Sequence, residues 1–93
     1  GIVLKIETTN QFERDYKRIE KQGKDINKLT ALMDTLAHQK PLDLRHRDHK
    51  LKGNYTEHRE CHIEPDWLLI YKIGLKDRII TFVRTGSHAD LFE

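Results

Sequence analysis

The spacing of apolar residues changes at Pro41, and this change constrains the possible fold more than any other feature of the chain. Before Pro41, apolar side chains recur at the spacing of amphipathic helices. After it, short apolar stretches alternate with polar residues and are separated by turn-forming residues, which is typical of strands. The chain of 93 residues has the length of one domain. We therefore expect a single α+β domain over residues 1–93.

The first half of the chain predicts a short strand followed by two helices. Residues 2–7 alternate enough to form the strand. Residues 10–22 and 25–39 each carry an apolar stripe at helical spacing, and Gly23 is a helix stop between them. Because only a few residues join the helices, we expect them to pack antiparallel as a hairpin.

The second half predicts an antiparallel meander of four strands. Each break between the apolar stretches is short enough for a hairpin connection. The segment 67–74 is apolar on both faces, so it should be the central strand. We expect a curved sheet that carries the helical hairpin on one face and leaves its other face free. The predicted strands are residues 49–53, 57–64, 67–74 and 78–85.

Histidine is concentrated in this sheet-forming half, which contains five of the six histidines. Imidazole has an unperturbed pKa of about 6.5, so it exchanges protons near neutral pH. A small domain has no folding reason to collect such side chains on its strands. We therefore take a proton-transfer site as the first hypothesis. The five histidines are His46, His49, His58, His62 and His88.

Strand geometry predicts which polar side chains meet. Alternation over 57–64 places Cys61 in the core and His62 on the opposite face. In the last strand, Arg84 shares a face with Phe82, close to the strand end. Because a meander brings the ends of neighbouring strands together, we expect a cluster at that end of the sheet. Its predicted members are His62, Asp66, Arg84 and His88, with the loop that bears His49 beside them.

Composition and spacing disfavour a metal centre and a cysteine nucleophile. The sequence has no CxxC, HxH or HExxH pattern, and Cys61 and His62 point to opposite faces of their strand. A single cysteine cannot form an internal disulfide, which fits a reducing compartment. No stretch approaches the roughly 20 apolar residues of a membrane span. We therefore expect a cytoplasmic protein with no membrane partner.

A local basic patch stands out against a net charge of only +2. Its four cations fall within eight residues and are opposed there only by Asp48. Such a patch suits phosphate contacts, although a solvated basic loop has the same composition. The patch consists of Arg45, Arg47, Lys50 and Lys52.

Four segments, in this order and at this spacing, resemble the YafQ-like branch of the RelE/ParE superfamily of bacterial toxins. The resemblance covers essentially the whole chain and implies the RelE-like microbial RNase fold. It also implies a ribosome-dependent mRNA endoribonuclease of a type II toxin–antitoxin system, which needs no cofactor and is neutralised by a cognate antitoxin protein. The segments are DINKL (25–29), DHKLKG (48–53), HIEPDWLLIYK (62–72) and RTGSHADLF (84–92).

The resemblance also places catalytic positions on this chain. Metal-free RNA cleavage needs a base for the 2′-OH proton, a cation for the charged phosphorus centre and an acid for the departing 5′-oxygen. We expect His88 to be the acid and Arg84 to bind the phosphate. Either His49 or Asp66 would be the base, while His62 would orient groups or stabilise charge.

Contacts with RNA and the ribosome follow from the same resemblance and from charge. Phe92 matches a functional position of the branch, and Trp67, which lies in the same motif as His62, is a candidate contact. We expect cations of the first helix and of the basic patch to dock on ribosomal RNA, which positions the message. These cations are Lys17, Lys21, Arg45, Arg47, Lys50 and Lys52.

Two other functions stay open at the level of sequence. A ParE-like toxin has the same fold but acts on DNA gyrase as a protein inhibitor, and it would not need the clustered histidines. A non-catalytic RNA-binding module would use the basic patch alone. Substitution of His88 would leave the activity of such a module intact.

Overall fold

The computed structural model describes residues 2–92 and confirms the α+β fold. Two 3₁₀ turns, Leu44–His46 and Gly53–Tyr55, lie before and after the second strand. No helix among the described residues is long and apolar enough to cross a membrane. The elements are β1 (Lys5–Thr8), α1 (Asn10–Lys21), α2 (Ile26–Ala37), β2 (His49–Lys50), β3 (Arg59–Glu64), β4 (Trp67–Gly74), β5 (Ile79–Gly86) and α3 (His88–Phe92).

The five strands form one sheet in the order β1-β5-β4-β3-β2. Strands β2 to β5 make the expected antiparallel meander, with β4 between β3 and β5. β1 pairs in parallel with β5, so the sheet is mixed. Leu68 at the start of β4 is opposite His62 on one side and Gly86 on the other. The end of β3 and the end of β5 therefore lie on either side of the start of β4, where the site residues were expected.

Side-chain caps begin both helices of the hairpin. Thr9 Oγ1 accepts a hydrogen bond from Phe12 N at 3.0 Å, and the Asp25 carboxylate caps α2 in the same way. Each such cap stabilises its helix by about 1 kcal/mol. Thr9 Oγ1 also donates to the Val83 carbonyl oxygen at 2.8 Å, which ties the start of α1 to β5. Gly23, between the helices, adopts a left-handed φ of +77° that glycine reaches without steric cost.

Side chains of β4 pack on both faces of the sheet, which explains why this segment is apolar throughout. Trp67, Leu69 and Tyr71 lie in the main core against the helices. Leu68 and Ile70 belong to a second, smaller cluster. The second cluster covers part of the sheet face opposite the helices, so the prediction that this face is free is wrong. Its other members are Leu51, Tyr55, Val83 and Leu91.

A β-bulge in β5 changes the direction of Arg84. Tyr71 pairs with Phe82. The preceding residue, Ile70, pairs with Arg84, which leaves Val83 as the extra residue of the bulge. Phe82 lies in the main core, whereas Ile70 and Val83 belong to the second cluster. Arg84 therefore shares a face with Ile70, and the prediction that it shares one with Phe82 is wrong.

Strand β2 is shorter than the predicted strand over 49–53. Only His49 and Lys50 pair with β3. Gly53 then adopts a left-handed φ of +69° and begins a 3₁₀ turn, so the chain leaves the sheet and returns at Arg59. The intervening loop carries Tyr55 onto the second cluster.

Candidate active site

Glu60 lies between two imidazoles. Its Oε1 is 3.5 Å from His49 Nε2 and 3.4 Å from His62 Nε2. The Glu60 side chain is only 6% exposed, and strand pairing places His49 directly opposite it. The sequence prediction left Glu60 out of the site. Its alternation with His62 on one strand face was the signal that could have included it.

Backbone carbonyl groups determine where the protons lie on these two imidazoles. His49 Nδ1 is 2.6 Å from the Arg47 carbonyl oxygen, and His62 Nδ1 is 3.3 Å from the Pro65 carbonyl oxygen. Because a carbonyl oxygen only accepts hydrogen bonds, each Nδ1 carries a proton. Each Nε2 then faces the Glu60 carboxylate, and a second proton on the ring makes that contact attractive. The Glu60 carboxylate is thus placed to stabilise positive charge on either ring when Nε2 takes up a proton.

Asp66 holds His88 through two hydrogen bonds. Its Oδ1 accepts from His88 N at 2.9 Å and from His88 Nδ1 at 2.7 Å. These bonds, first from the backbone and then from the ring, lower the pKa of Asp66 below its ordinary value. Because Nδ1 donates to Asp66, Nε2 is the ring nitrogen left for chemistry. The His88 side chain is 54% exposed, so this nitrogen is accessible to a large substrate.

A capping box fixes the first turn of α3, which carries His88. Ser87 N donates to Asp90 Oδ2 and Asp90 N donates to Ser87 Oγ, each at 3.1 Å. A Cβ on Gly86 would lie 2.7 Å from Arg18 Nη2 and 3.0 Å from Asp90 Cβ. The turn before His88 therefore requires a residue without a side chain.

The three imidazoles form a row at this edge of the sheet. The ring centroids of His49 and His62 are 6.3 Å apart, and those of His62 and His88 are 5.8 Å apart. Asp66 extends the row through its bonds to His88. The structure thus brings these four predicted residues together, as the meander topology indicated.

Arg84 is held by a carboxylate of α1. Its Nε and Nη2 donate to the two carboxylate oxygens of Asp15, at 2.7 and 3.2 Å. The Asp15 carboxylate, with a smaller contribution from Tyr55, raises the pKa of Arg84, so its positive charge is permanent. The side chain keeps 20% of its surface exposed. Sequence reasoning did not identify Asp15, which lies on the apolar side of α1.

Phe92 belongs to a small aromatic group on the same terminal helix as His88. Its ring lies edge-on to Tyr55 with centroids 6.1 Å apart, and Tyr55 lies edge-on to His58 at 5.5 Å. Phe92 is 48% exposed, and with Lys52 it lines a shallow cleft. Aromatic rings beside a cation suit the stacking of a nucleobase close to a phosphate.

Trp67 is a core residue and offers no surface to RNA. Its side chain is 1% exposed, and its Nε1 donates to Thr85 Oγ1 at 3.0 Å. Thr85 Oγ1 in turn donates to the Leu68 carbonyl oxygen at 2.8 Å. The prediction that Trp67 contacts RNA therefore does not fit its burial. The indole instead fixes the residue next to Arg84.

The predicted docking cations are exposed on α1 and around β2. Asp48, the acidic residue within the patch, turns inward and accepts from Arg59 Nη2 at 3.2 Å and from Tyr71 Oη at 2.5 Å. These contacts anchor the residue before His49 and draw the nearest carboxylate away from the patch. The exposed cations are Lys17, Lys21, Arg45, Arg47, Lys50 and Lys52.

Cys61 is fully buried, as its strand face predicted. Burial, followed by the nearby Asp48 and Glu60 carboxylates, raises the pKa of the Cys61 thiol to about 12. The thiol stays protonated and unreactive at neutral pH. Among residues 2–92, no group of three or more His, Cys, Asp or Glu side chains is arranged to hold a metal ion. The chemistry considered below uses side chains alone.

Known proteins resemble this chain over nearly its whole length. The sequence model of a family described as the bacterial toxin of type II toxin–antitoxin system, YafQ, matches residues 4–93. The mRNA interferase toxin YafQ of Escherichia coli K12 is 46% identical over 88 residues, which are 94% of either chain. In the crystal structure of the E. coli DinJ-YafQ toxin–antitoxin complex, one chain superposes with a TM-score of 0.88 at 43% identity, covering 99% of this chain and 100% of that one. A metal-bound toxin from Helicobacter pylori superposes with a TM-score of 0.91 at 42% identity, covering 96% and 99% of the two chains.

Proposed function

The chain belongs to the YafQ family of toxins of type II toxin–antitoxin systems, and we propose that it is a single-domain mRNA interferase that cleaves messages on the ribosome. The row of three imidazoles carries this proposal, because two of them contact Glu60 and the third is held by Asp66. Groups that titrate near neutral pH are what cleavage at an RNA 2′-OH requires. The E. coli relative, whose name is that of an mRNA interferase, supports the same activity.

The chemical step needs no reactant other than the RNA, because the nucleophile and the leaving group both belong to it. A base removes the 2′-OH proton, the 2′-oxygen forms a bond to phosphorus, and the bond from phosphorus to the 5′-oxygen breaks. An acid protonates the departing 5′-oxygen. The products are a 2′,3′-cyclic phosphate and a free 5′-hydroxyl.

His88 is the general acid in this proposal. Its Nδ1 proton is committed to Asp66, so the proton transferred to the 5′-oxygen comes from Nε2 of the imidazolium. Asp66 stabilises that imidazolium and orients the ring, as a carboxylate does for a catalytic histidine elsewhere. A positioned acid contributes about 10²–10⁴-fold to the rate.

His49 is a better candidate for the base than Asp66. The Asp66 pKa is lowered by His88, which makes its carboxylate a weak base, and its Oδ1 is occupied. Between the two imidazoles beside Glu60, the side chain of His49 is 48% exposed and that of His62 only 11%. RNA therefore reaches His49 more easily. Glu60 stabilises the imidazolium that forms, and a protonated His62 stabilises charge on the phosphorus centre.

Arg84 binds the non-bridging oxygens of the scissile phosphate in this scheme. Its charge is permanent, and a guanidinium presents paired donors that match phosphate geometry. Phe92 and Tyr55 then contact a neighbouring nucleobase, because both rings lie in the cleft beside Lys52.

Docking on the ribosome follows from charge. A net charge of +2 gives little non-specific affinity for free RNA at physiological salt. The exposed cations Lys17 and Lys21 and the patch around β2 instead bind ribosomal RNA, which presents the message to the site. We propose that this takes place in the cytoplasm.

A cognate antitoxin is the second partner that we propose. The related E. coli chain was crystallised with one, in the DinJ-YafQ complex. An acidic, flexible segment that folds over the exposed histidines and the basic patch would block the site.

Cleavage in a translating extract tests the proposed function. Primer extension should detect discrete cuts within codons that disappear when translation is blocked, and the fragments should end in 2′,3′-cyclic phosphate and 5′-hydroxyl. His88→Ala should lower single-turnover cleavage by about 10²–10⁴-fold. His38→Ala is the matched control, because this exposed histidine lies after α2 and its ring contacts Asp34 of the same helix. A 5′-phosphate product, an unchanged rate for His88→Ala, or gyrase inhibition without cleavage would each refute the proposal.

A further inference from the structure

Asp15 is the most completely enclosed charged group in the described part of the chain. Its side chain has 0% of its surface exposed, although it is flanked on α1 by exposed charged residues. Besides the two bonds from Arg84, its carboxylate accepts from Arg18 Nη1 at 2.9 Å and from Thr85 N at 3.2 Å. Gln11 Nε2 donates to it at 3.2 Å. Five hydrogen bonds thus converge on one buried carboxylate.

These contacts keep the carboxylate charged. Burial alone would raise the pKa of Asp15, but the hydrogen bonds from Arg84, Arg18, Thr85 and Gln11 outweigh burial and lower the pKa below its ordinary value. A buried, ionised carboxylate is tolerated only where it is paired and hydrogen-bonded in this way.

The pairing also defines the orientation of the Arg84 guanidinium. Nε and Nη2 both face Asp15, so the carboxylate holds one edge of the planar group. The opposite edge, with Nη1, is directed away from Asp15. Tyr55, which contacts Phe92 in the aromatic cleft, makes a small contribution to the raised pKa of Arg84. In the proposed function, this opposite edge is the one that binds the phosphate.

The same carboxylate reaches the helix that carries the general acid. Arg18, held by Asp15, donates from Nη2 to the Thr85 carbonyl oxygen at 3.0 Å, and this nitrogen is 3.6 Å from Asp90 Oδ2. Asp90 is the second member of the capping box at the start of α3. Gly86 leaves the space in which Arg18 lies. One buried group therefore connects the phosphate-binding arginine with the turn that sets His88.

We propose that Asp15 is a positioning residue for cleavage, which holds Arg84 in the orientation that receives the scissile phosphate and fixes α3 relative to it through Arg18. This inference rests on the proposed function. Asp15 touches no substrate and acts through Arg84 and Arg18. A displacement of about 1 Å at a reacting group lowers rates by about 10²-fold. Loss of the anchor should therefore reduce turnover without weakening ribosome binding.

A double-mutant cycle tests this role. Asp15→Asn preserves the shape of the side chain and removes its charge. Steady-state cleavage by the full chain should fall about 10–100-fold in kcat, with little change in KM for programmed ribosomes. In the Arg84→Ala background, the same substitution should cause a clearly smaller further loss, because the oriented guanidinium is already gone and only the effect through Arg18 remains.

A purely structural role predicts a different pattern. If Asp15 only stabilised the fold, Asp15→Asn would lower the folded fraction but leave the cleavage rate per folded molecule unchanged. A rate per folded molecule equal to that of the parent would overturn the inference. Thermal unfolding followed by circular dichroism gives the folded fraction of each variant, so that rates can be compared per folded molecule.

A second variant keeps the inference testable if Asp15→Asn fails to fold. Arg84→Lys retains a positive charge but cannot present the two-donor edge to Asp15. It should be as impaired in kcat as Arg84→Ala, and turnover near that of the parent would overturn the inference. The proposed function is judged separately, by whether the parent protein cuts mRNA at all.

Discussion

Asp15 and Asp66 both hold a group that the proposed cleavage uses, but they do so in opposite surroundings. Asp15 is fully buried beneath Arg84, whereas the Asp66 side chain is 69% exposed beside His88. Asp15 accepts bonds from two arginines, a glutamine and the backbone. Asp66 accepts its bonds from one residue, His88. Asp15 is therefore an anchor within the core, whereas Asp66 is an anchor at the surface.

Because of this difference, substitutions of the two aspartates should differ in their effects on folding and on cleavage. Removing one partner of a buried, hydrogen-bonded ion pair costs about 3–5 kcal/mol, because the other charge is left buried without compensation. A typical domain has only about 5–15 kcal/mol of stability in total. An exposed ion pair contributes about 0–1 kcal/mol. Substitution of Asp15 should therefore affect folding as well as cleavage, and substitution of Asp66 should affect cleavage alone.

The largest expected effect is on stability. Asp15→Ala should lower the free energy of unfolding by about 3–5 kcal/mol, since Arg84 and Arg18 lose their buried counter-charge. Urea denaturation followed by circular dichroism measures this change. Glu20→Ala, an exposed position on the same helix, should change stability by no more than about 0.5 kcal/mol. A loss below about 1 kcal/mol for Asp15→Ala would mean that the two arginines find water or another partner, and the comparison would fail.

The next effect is on turnover with the fold intact. Asp66→Asn should reduce single-turnover cleavage by about 10²-fold, because the amide holds the His88 ring less firmly and no longer stabilises the imidazolium. Its thermal unfolding should stay close to that of the parent. Glu64→Gln is the matched control, since this carboxylate lies two residues away and pairs with Lys28 at 2.7 Å. If Asp66→Asn cuts at the parent rate, the His88 ring does not depend on its surface anchor.

The sequence predicted the parts of this comparison unequally. The spacing of apolar residues predicted the helices and strands, and the predicted meander placed His49, His62 and His88 close together. The direction of Arg84 was missed because alternation along a strand cannot reveal a bulge at Val83. The spacing of apolar residues along the chain determines which segments form helices and strands. The position of the β-bulge depends instead on how β5 pairs with β4.

The buried carboxylates were missed for a related reason. Glu60 and Asp15 were left out of the predicted site, because His49, opposite Glu60, and Arg84, beside Asp15, are on other elements. Asp15 did leave a trace: it is three residues after Phe12 and four before Ile19, on the stripe that faces the core. A charged residue on an apolar stripe predicts a buried partner, which here is Arg84, 69 residues away.

A smaller effect concerns pH. Hydrogen bonds from the backbone and ring of His88 lower the pKa of Asp66 from its ordinary 3.8. A carboxylate with a lowered pKa contributes stability that is fully present above pH 3.8 and is lost as the pH falls through the lowered value. The side-chain carboxyl resonance of Asp66 should therefore titrate below pH 3.8. In His88→Ala, which removes the ring bond, the midpoint should move back towards 3.8, and an unchanged midpoint would show that the ring does not hold the carboxylate.

The smallest effect belongs to Cys61, which lies between Glu60 and His62 in sequence but faces the core. Burial raises the pKa of its thiol to about 12, so the native protein should resist iodoacetamide at pH values near 8 and react once it is unfolded. Cys61→Ala should leave cleavage within about twofold of the parent rate and cost about 1 kcal/mol of stability. Rapid alkylation of the native protein, or a large loss of turnover, would place the thiol on the site face of β3. Burial of a polar group therefore does not by itself indicate a role in cleavage. Asp15 differs from Cys61 because its partner, Arg84, is partly exposed.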